Sequence, residues 1–250
     1  MNESKLIIEN CAGDVPSCLE AERGGASRIE LCAALSEGGT TPSYGTVATA
    51  LRHCHLPIIP IIRPRSGDFL YTETEIDVML EDIRLFRRLG VAGFSLGALT
   101  PDGDLDEELC RRLIRGAEGL PVTLHRAFDR TASLETTLEQ AVAVGFDCIL
   151  TSGGTASAVD SLDRIRRLVE QADGRICIMA GSGITADNAS HVVQSTGVSA
   201  IHGTFARQRV SVMRHSSAAF PPSSTALVPE RDYRVTDAEA ISSIRQSLLS

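Results

Sequence analysis

The chain has 250 residues, 43% of them hydrophobic, which admits one large α/β barrel or two small domains around a sizeable core. Its formal net charge of −8 argues against a nucleic-acid partner, which asks for a basic face, but leaves room for a local basic pocket. No stretch approaches the roughly twenty apolar residues of a membrane helix, and "MNESKL" carries no signal-peptide pattern, so a cytoplasmic protein without a membrane partner is expected.

Short β-branched runs alternate with longer amphipathic ones from the start. The strands expected are "KLIIEN", "SRIELC", "PIIPIIR", "AGFSLG", "PVTLHR", "DCILTS", "ICIMAG" and "SAIHG". Helical patterns fill the intervals at 14–24, 42–54, 73–89, 106–118, 133–144, 156–172 and 185–195. A last helix, "TDAEAISSIRQSLL", opens with Thr236 as its expected cap and Glu239 three residues on. Every second strand follows a helix-ending glycine, namely Gly25, Gly90, Gly145 and Gly197, while Pro57 and Pro121 introduce the third and fifth strands. A βαβα unit used four times predicts a single α/β domain over residues 1–250, a closed (β/α)8 TIM barrel. An open doubly wound sheet is less favoured, because no G-x-G-x-x-G turn follows the first strand. Residues 205–235, rich in Ser, Pro and Arg, break the rhythm and are expected as an irregular lid or subunit-contact segment after the eighth strand.

Functional groups of such barrels gather at the C-terminal ends of the strands. Those ends carry Glu9 and Cys11, Glu30 and Cys32, Arg63 and Arg65, Ser95, His125 with Arg126 and Asp129, Ser152, Gly181 to Gly183, and His202. Two glutamates facing the arginines would compensate one another, either in a ligand site or in a structural salt-bridge layer. Arg63 and Arg65, two apart on one strand, share a side and suit a carboxylate or phosphate. The small-residue turns at Ser152–Gly153 and at Gly181, Ser182 and Gly183 lead into helices whose free N–H groups favour an anion. His125 is placed to serve as a general acid or base, with Glu9 or Glu30 as a further candidate base. Asp129 could orient His125, but the cap of the following helix is its expected role.

The seven cysteines include no C-x-x-C pair, which disfavours a structural zinc site or a disulfide framework. The first two strands are barrel neighbours, so Cys11 and Cys32 lie at the rim close enough for one ion to bridge them. Two thiolates with few hard ligands suit a soft ion such as Cu(I), although packing alone explains most cysteines. Cys18 and Cys110 fall in helix patterns and Cys148 and Cys177 within strands, all expected in the core. "HCH" at 53–55 precedes the third strand and is expected as a surface connection on the opposite face.

The stretches "GASRIELCAALSEGGTTPSYG", "IIRPRSGDFLYTETE", "VTLHRAFDRT", "ILTSGGTASA" and "IMAGSGI" resemble the copper homeostasis protein CutC family, in order and from about residue 6 to His202. The resemblance implies a TIM barrel, a cytoplasmic and self-associating protein (a homodimer or higher homo-oligomer), and a link to copper handling. It makes Cys11 and Cys32 the candidate thiolates for Cu(I). Where the family often has a second cysteine directly after the first, this chain has Ala12, and it reads "HGTF" where the family often has His-Ser-Ser. Two functions therefore stand side by side: Cu(I) binding at the rim cysteines, and an enzyme acting on a small anionic metabolite at the barrel mouth.

Overall fold

The computed structural model describes residues 6–215 and 232–249. Eight parallel strands share one sheet: β1 (Ile7–Ala12), β2 (Arg28–Leu31), β3 (Ile58–Pro60), β4 (Phe94–Leu96), β5 (Val122–Leu124), β6 (Cys148–Thr151), β7 (Cys177–Gly181) and β8 (Ala200–Gly203). Their order is β3-β2-β1-β8-β7-β6-β5-β4. The two ends of that order meet where Ile61 bridges Ser95 and the Ile62 N–H donates to the Ser95 carbonyl at 2.8 Å. The sheet thus closes into a barrel, as the alternation predicts.

Eight helices cover it: α1 (Val15–Gly24), α2 (Tyr44–His53), α3 (Glu73–Leu89), α4 (Glu107–Gly116), α5 (Leu134–Val144), α6 (Leu162–Ala172), α7 (Ala189–Thr196) and α8 (Ala238–Ser247). The recurrent glycines Gly25, Gly90, Gly145 and Gly197 cap α1, α3, α5 and α7 in the left-handed region, where a side chain would be strained. The repeat seen in the sequence is therefore a repeated helix stop. Two helices are shorter than their patterns. A 3-10 turn (Ala158–Ser161) precedes α6, and α7 starts only at Ala189, because the loops after β6 and β7 take up the first residues. The cap of α8 is also one residue later than expected. Asp237 accepts from the Glu239 N–H, while Thr236 is buried and bonded to Asn10.

One apolar cluster fills the layer between sheet and helices, with Ile29, Leu31, Phe94, Leu124, Ile149 and Ile201 at its centre. Each is buried almost completely and contributes about 1.5–3 kcal/mol. Two small clusters stand apart from it, one of Cys11, Cys32 and Ile61, the other of Cys148, Leu150, Met179 and Ala200. The ends of the segment expected to be irregular are regular: β9 (Ala206–Val210) and β10 (Asp232–Thr236) form an antiparallel ribbon, with Arg207 opposite Val235. Residues 216–231, the rest of that expectation, lie outside the described residues. Among the described residues no helix is long and apolar enough to cross a membrane.

Candidate functional site at the barrel mouth

Because all eight barrel strands are parallel, their C-terminal ends surround one opening, a cavity of about 950 Å³. Cys11, Glu30, His125, Arg126, Ser152 and His202, all singled out in the sequence, border it. Asp129, Gly181, Ser182 and Gly183 border it too, as do Phe205, Ala206 and Arg234 from the ribbon and its approach.

The deepest polar group begins with Glu9, which β1 sets opposite Arg28 of β2 and opposite His202 of β8. Its carboxylate accepts from the Arg28 guanidinium and bonds His202 Nδ1 at 2.9 Å. The other ring nitrogen of His202 lies 3.6 Å from Glu30. Burial alone would raise the Glu9 pKa, but His202 and Arg28 together hold it below the ordinary carboxylate value. Burial would likewise lower that of His202, yet hydrogen bonds to Cys11 and Glu9 and the charge of Glu30 push it well above the usual histidine value. His202 is held between two carboxylates, which favour its charged form.

The cationic partner of Glu9 is therefore Arg28, not Arg63 or Arg65, which corrects the expectation of a salt-bridge layer across the mouth. Arg28 was missed although a signal existed. Residues 28, 30 and 32 alternate as Arg, Glu and Cys, and the two-residue period of a strand puts all three on one side.

Arg63 is 2% exposed and gives its guanidinium to backbone carbonyls of Gly39 and Gly67, both at 2.7 Å, and of Glu37 at 3.1 Å. Arg65 pairs with Glu75 and Asp68 and bonds the Leu70 carbonyl, fixing the loop that leads into α3. Neither borders the cavity, so the expected anion fork formed by this pair is absent from the mouth. Short loops with unpaired carbonyls sit within reach of both side chains and take their donors.

Asp129 neither caps the next helix nor orients His125. Ser133 caps α5, while Asp129 accepts from Thr151 Oγ1 at 2.5 Å, from the Ser152 N–H at 2.7 Å and from the Gly154 N–H at 3.0 Å. It pins the turn after β6. Ser152 Oγ bonds Asp129 and the Thr155 carbonyl, and Ser182 Oγ donates to the Ala156 carbonyl at 2.6 Å. The two turns thus brace one another, and Gly153 and Gly183 both take positive φ within them.

His125 is 1% exposed, stacked at 5.0 Å from Phe69, and its Nδ1 accepts from the Ala127 N–H. Burial first, and the Arg63 charge second, lower its pKa to about 3. A ring with so low a pKa is neutral at pH 7, and since Nδ1 accepts, its proton is on Nε2. Among the described residues that Nε2 has no partner, and neither do the buried Ser95 Oγ and Arg63 Nε. Arg126 and Arg130 border the same cavity, and among the described residues neither forms an ion pair. Burial, Arg130 and Arg63 lower the Arg126 pKa and Asp129 only partly opposes them, so this side of the mouth gathers positive charge. Gly38 makes room for it, since a Cβ there would fall 2.1 Å from Arg126 Nη1.

On the opposite side Cys11 Sγ and Cys32 Sγ are 3.7 Å apart, and Cys32 also donates to Glu30 at 3.6 Å. One ligand atom each from Cys11, Glu30 and Cys32 falls within a 4.8 Å group. Both thiols are free, and hydrogen bonding to Cys11, burial and Glu30 raise the Cys32 pKa well above that of an ordinary thiol. The "HCH" stretch lies away from this site. His53 and His55 are exposed as expected, His55 pairs with Glu22, and Cys54 is buried.

The CutC family model matches residues 6–207. The copper homeostasis protein cutC homolog of Homo sapiens is 43% identical over 232 residues, covering 93% of this chain and 85% of the relative. The family protein CutC of Parabacteroides distasonis is 48% identical over 239 residues, 95% and 98% of the two chains. Among solved structures, CutC from Streptococcus agalactiae superposes with a TM-score of 0.77 at 36% identity, over 80% of this chain and 98% of that one. Phosphoribosylanthranilate isomerase from Thermotoga maritima, at 14% identity and TM-score 0.58, shares the barrel fold alone. A matched model over four-fifths of the chain, and relatives above 40% identity along nearly its whole length, make the chain a member of the CutC family.

Proposed function

We propose that the protein binds Cu(I) in the cytoplasm through Cys11 and Cys32. The observation that carries this reading is the 3.7 Å separation of the two thiols on neighbouring strands, with Glu30 beside them. Sulfur donors of this kind select soft ions, and the names of the human and streptococcal relatives refer to copper homeostasis. The donor set fits Cu(I) better than a hard dication, since only one carboxylate accompanies the two sulfurs. Each thiol gives up a proton as it becomes a ligand. Glu30 already accepts the Cys32 S–H and adjoins His202, so a proton acceptor stands at the thiol. Anaerobic titration with Cu(I) against a chromogenic chelator tests the reading. Cys11→Ser with Cys32→Ser is expected to remove one tightly bound equivalent, and an unchanged stoichiometry would overturn it.

A second reading rests on the other half of the cavity. Arg126 and Arg130 without carboxylate partners, and the neutral His125 with an unpaired Nε2, suit a small phosphate- or carboxylate-bearing metabolite. In that reading His125 donates a hydrogen bond as a neutral ring and His202 is the charged acid, with Glu9 and Glu30 holding it in place. Isothermal titration with inorganic phosphate tests it. Saturable binding weakened at least tenfold in Arg126→Met supports the reading, and absence of any heat at millimolar phosphate counts against it.

A further inference from the structure

The barrel holds a second pair of thiols, at the end opposite the mouth. Cys148 and Cys177 are the first residues of β6 and β7, whereas Cys11 and Cys32 stand at the far ends of β1 and β2. Since all these strands run parallel, the two pairs lie at opposite ends of one barrel. The register sets Cys148 directly opposite Cys177, so both side chains fall on the same side of neighbouring strands. Two residues along β7, on the same side of the strand, is Met179. These residues form their own small cluster with Leu150 and Ala200, separate from the main core.

One guanidinium connects the sulfurs. Arg28 donates Nη2 to Met179 Sδ at 3.7 Å. The same side chain holds Glu9, which bonds His202, whose other nitrogen adjoins Glu30, the acceptor of the Cys32 S–H. A continuous polar chain therefore runs from the floor sulfurs to the mouth thiols. The floor pair is not sealed: Cys177 is only partly buried and bonds Ser199 at 3.4 Å, and Ser199 is exposed.

We propose that Cys148, Cys177 and Met179 form a second soft-metal site at the barrel floor, taking one Cu(I). Two thiolates and a thioether are the donors that such an ion prefers over Mg²⁺, Ca²⁺ or Mn²⁺. Among the described residues no histidine or carboxylate forms a three-donor group with them, so sulfur is the whole donor set. The charge balance also fits. Two thiolates around one monovalent cation leave a single negative charge, and the Arg28 guanidinium already bonds the Met179 sulfur of the group. The ion reaches the site past Ser199 and Cys177, with no passage through the mouth. The choice of Cu(I) rests on the proposed function above; the site itself rests on the three sulfurs.

Anaerobic titration of the full chain with Cu(I) decides it. Wild type is expected to bind two equivalents, Cys148→Ser with Cys177→Ser one, Cys11→Ser with Cys32→Ser one, and the fourfold variant none. Met179→Leu is expected to weaken one of the two equivalents at least tenfold. Should the floor double variant fail to fold, Cys177→Ser alone, at the solvent-facing position, is expected to lose the same equivalent. Wild-type stoichiometry retained in the floor variants overturns the second site, whatever happens at the mouth. Loss of an equivalent in the floor variants, with no change in the mouth variant, sustains the floor site and overturns the mouth reading instead.

Discussion

Single residues in this barrel are set by what lies within one side chain's reach, and His125 is the clearest case. Its folded pKa of about 3 lies below the ordinary value of 6.5, because burial and Arg63 oppose the charged form. Between those values the unfolded chain binds a proton that the native protein refuses. The contribution is therefore present above about pH 6.5 and is lost as the pH falls toward 3, on the order of a few kcal/mol. In urea unfolding across that range, His125→Gln is expected to lose less stability on acidification than wild type; parallel pH profiles would show that the ring is not held neutral. Arg28 gives a second test. Removing it leaves the buried Glu9 with His202 alone, and Arg28→Met is expected to cost about 3 kcal/mol, the lower end for breaking a buried pair. A loss in the double variant Arg28→Met with Glu9→Gln equal to the sum of the two single losses would show no coupling between the two. The residue types of the mouth were readable from the strand ends, since Glu9, Glu30, His125 and His202 all lie where the period of the fold puts them. Their partners were not. Whether an arginine meets a carboxylate across the barrel or a carbonyl in its own loop depends on loop conformation, which strand periodicity does not encode.

At the level of the element, the turn after β6 shows how a loop position becomes structural. Asp129 follows β5 but spends its carboxylate on the Thr151 and Ser152 side chains and the Ser152 and Gly154 N–H groups, joining two successive strand ends. Asp129→Ala leaves those donors without their acceptor and is expected to destabilise the chain by about 2–3 kcal/mol, as the loss of charged hydrogen bonds does. Hydrogen exchange at Ser152 and Gly154 is expected to accelerate more than exchange in β1. Uniform acceleration throughout the barrel would mean that the loop has no local role. The sequence pointed instead to a helix cap, because an aspartate just before a helical pattern is ordinarily one; Ser133, four residues later, holds that place. The element count fared better. Helix stops at Gly25, Gly90, Gly145 and Gly197 are local chemistry, and local chemistry is what a sequence displays directly. The ribbon of β9 and β10 was hidden because its strands are separated by over twenty residues and its edge positions are largely exposed, leaving little apolar alternation to read.

For the molecule as a whole, the placing of the two thiol pairs matters more than their number. Each pair joins strands that are already neighbours, β1 with β2 and β6 with β7, so an ion at either end bridges contacts the fold has made. Stabilisation by metal then comes from mass action on the native state and not from closing a long unfolded loop. One site at a free ion concentration a hundred times its dissociation constant adds about 2.7 kcal/mol, and a chain of this size gains about 2–4 °C per kcal/mol. Anaerobic wild-type protein is therefore expected to melt about 5–10 °C higher with one site filled and higher again with both. Mg²⁺ at the same free concentration is expected to give no such shift, because neither thiol pair offers the oxygen-rich ligand set that it requires. The mouth and floor double variants should each keep part of the shift, and their residual shifts should sum to that of the wild type. Sites at opposite ends of a rigid barrel are independent unless the chain through His202, Glu9 and Arg28 couples them. A wild-type shift well above that sum would show that filling one end prepares the other, and Glu9→Gln, which breaks the middle of the chain, would then restore additivity.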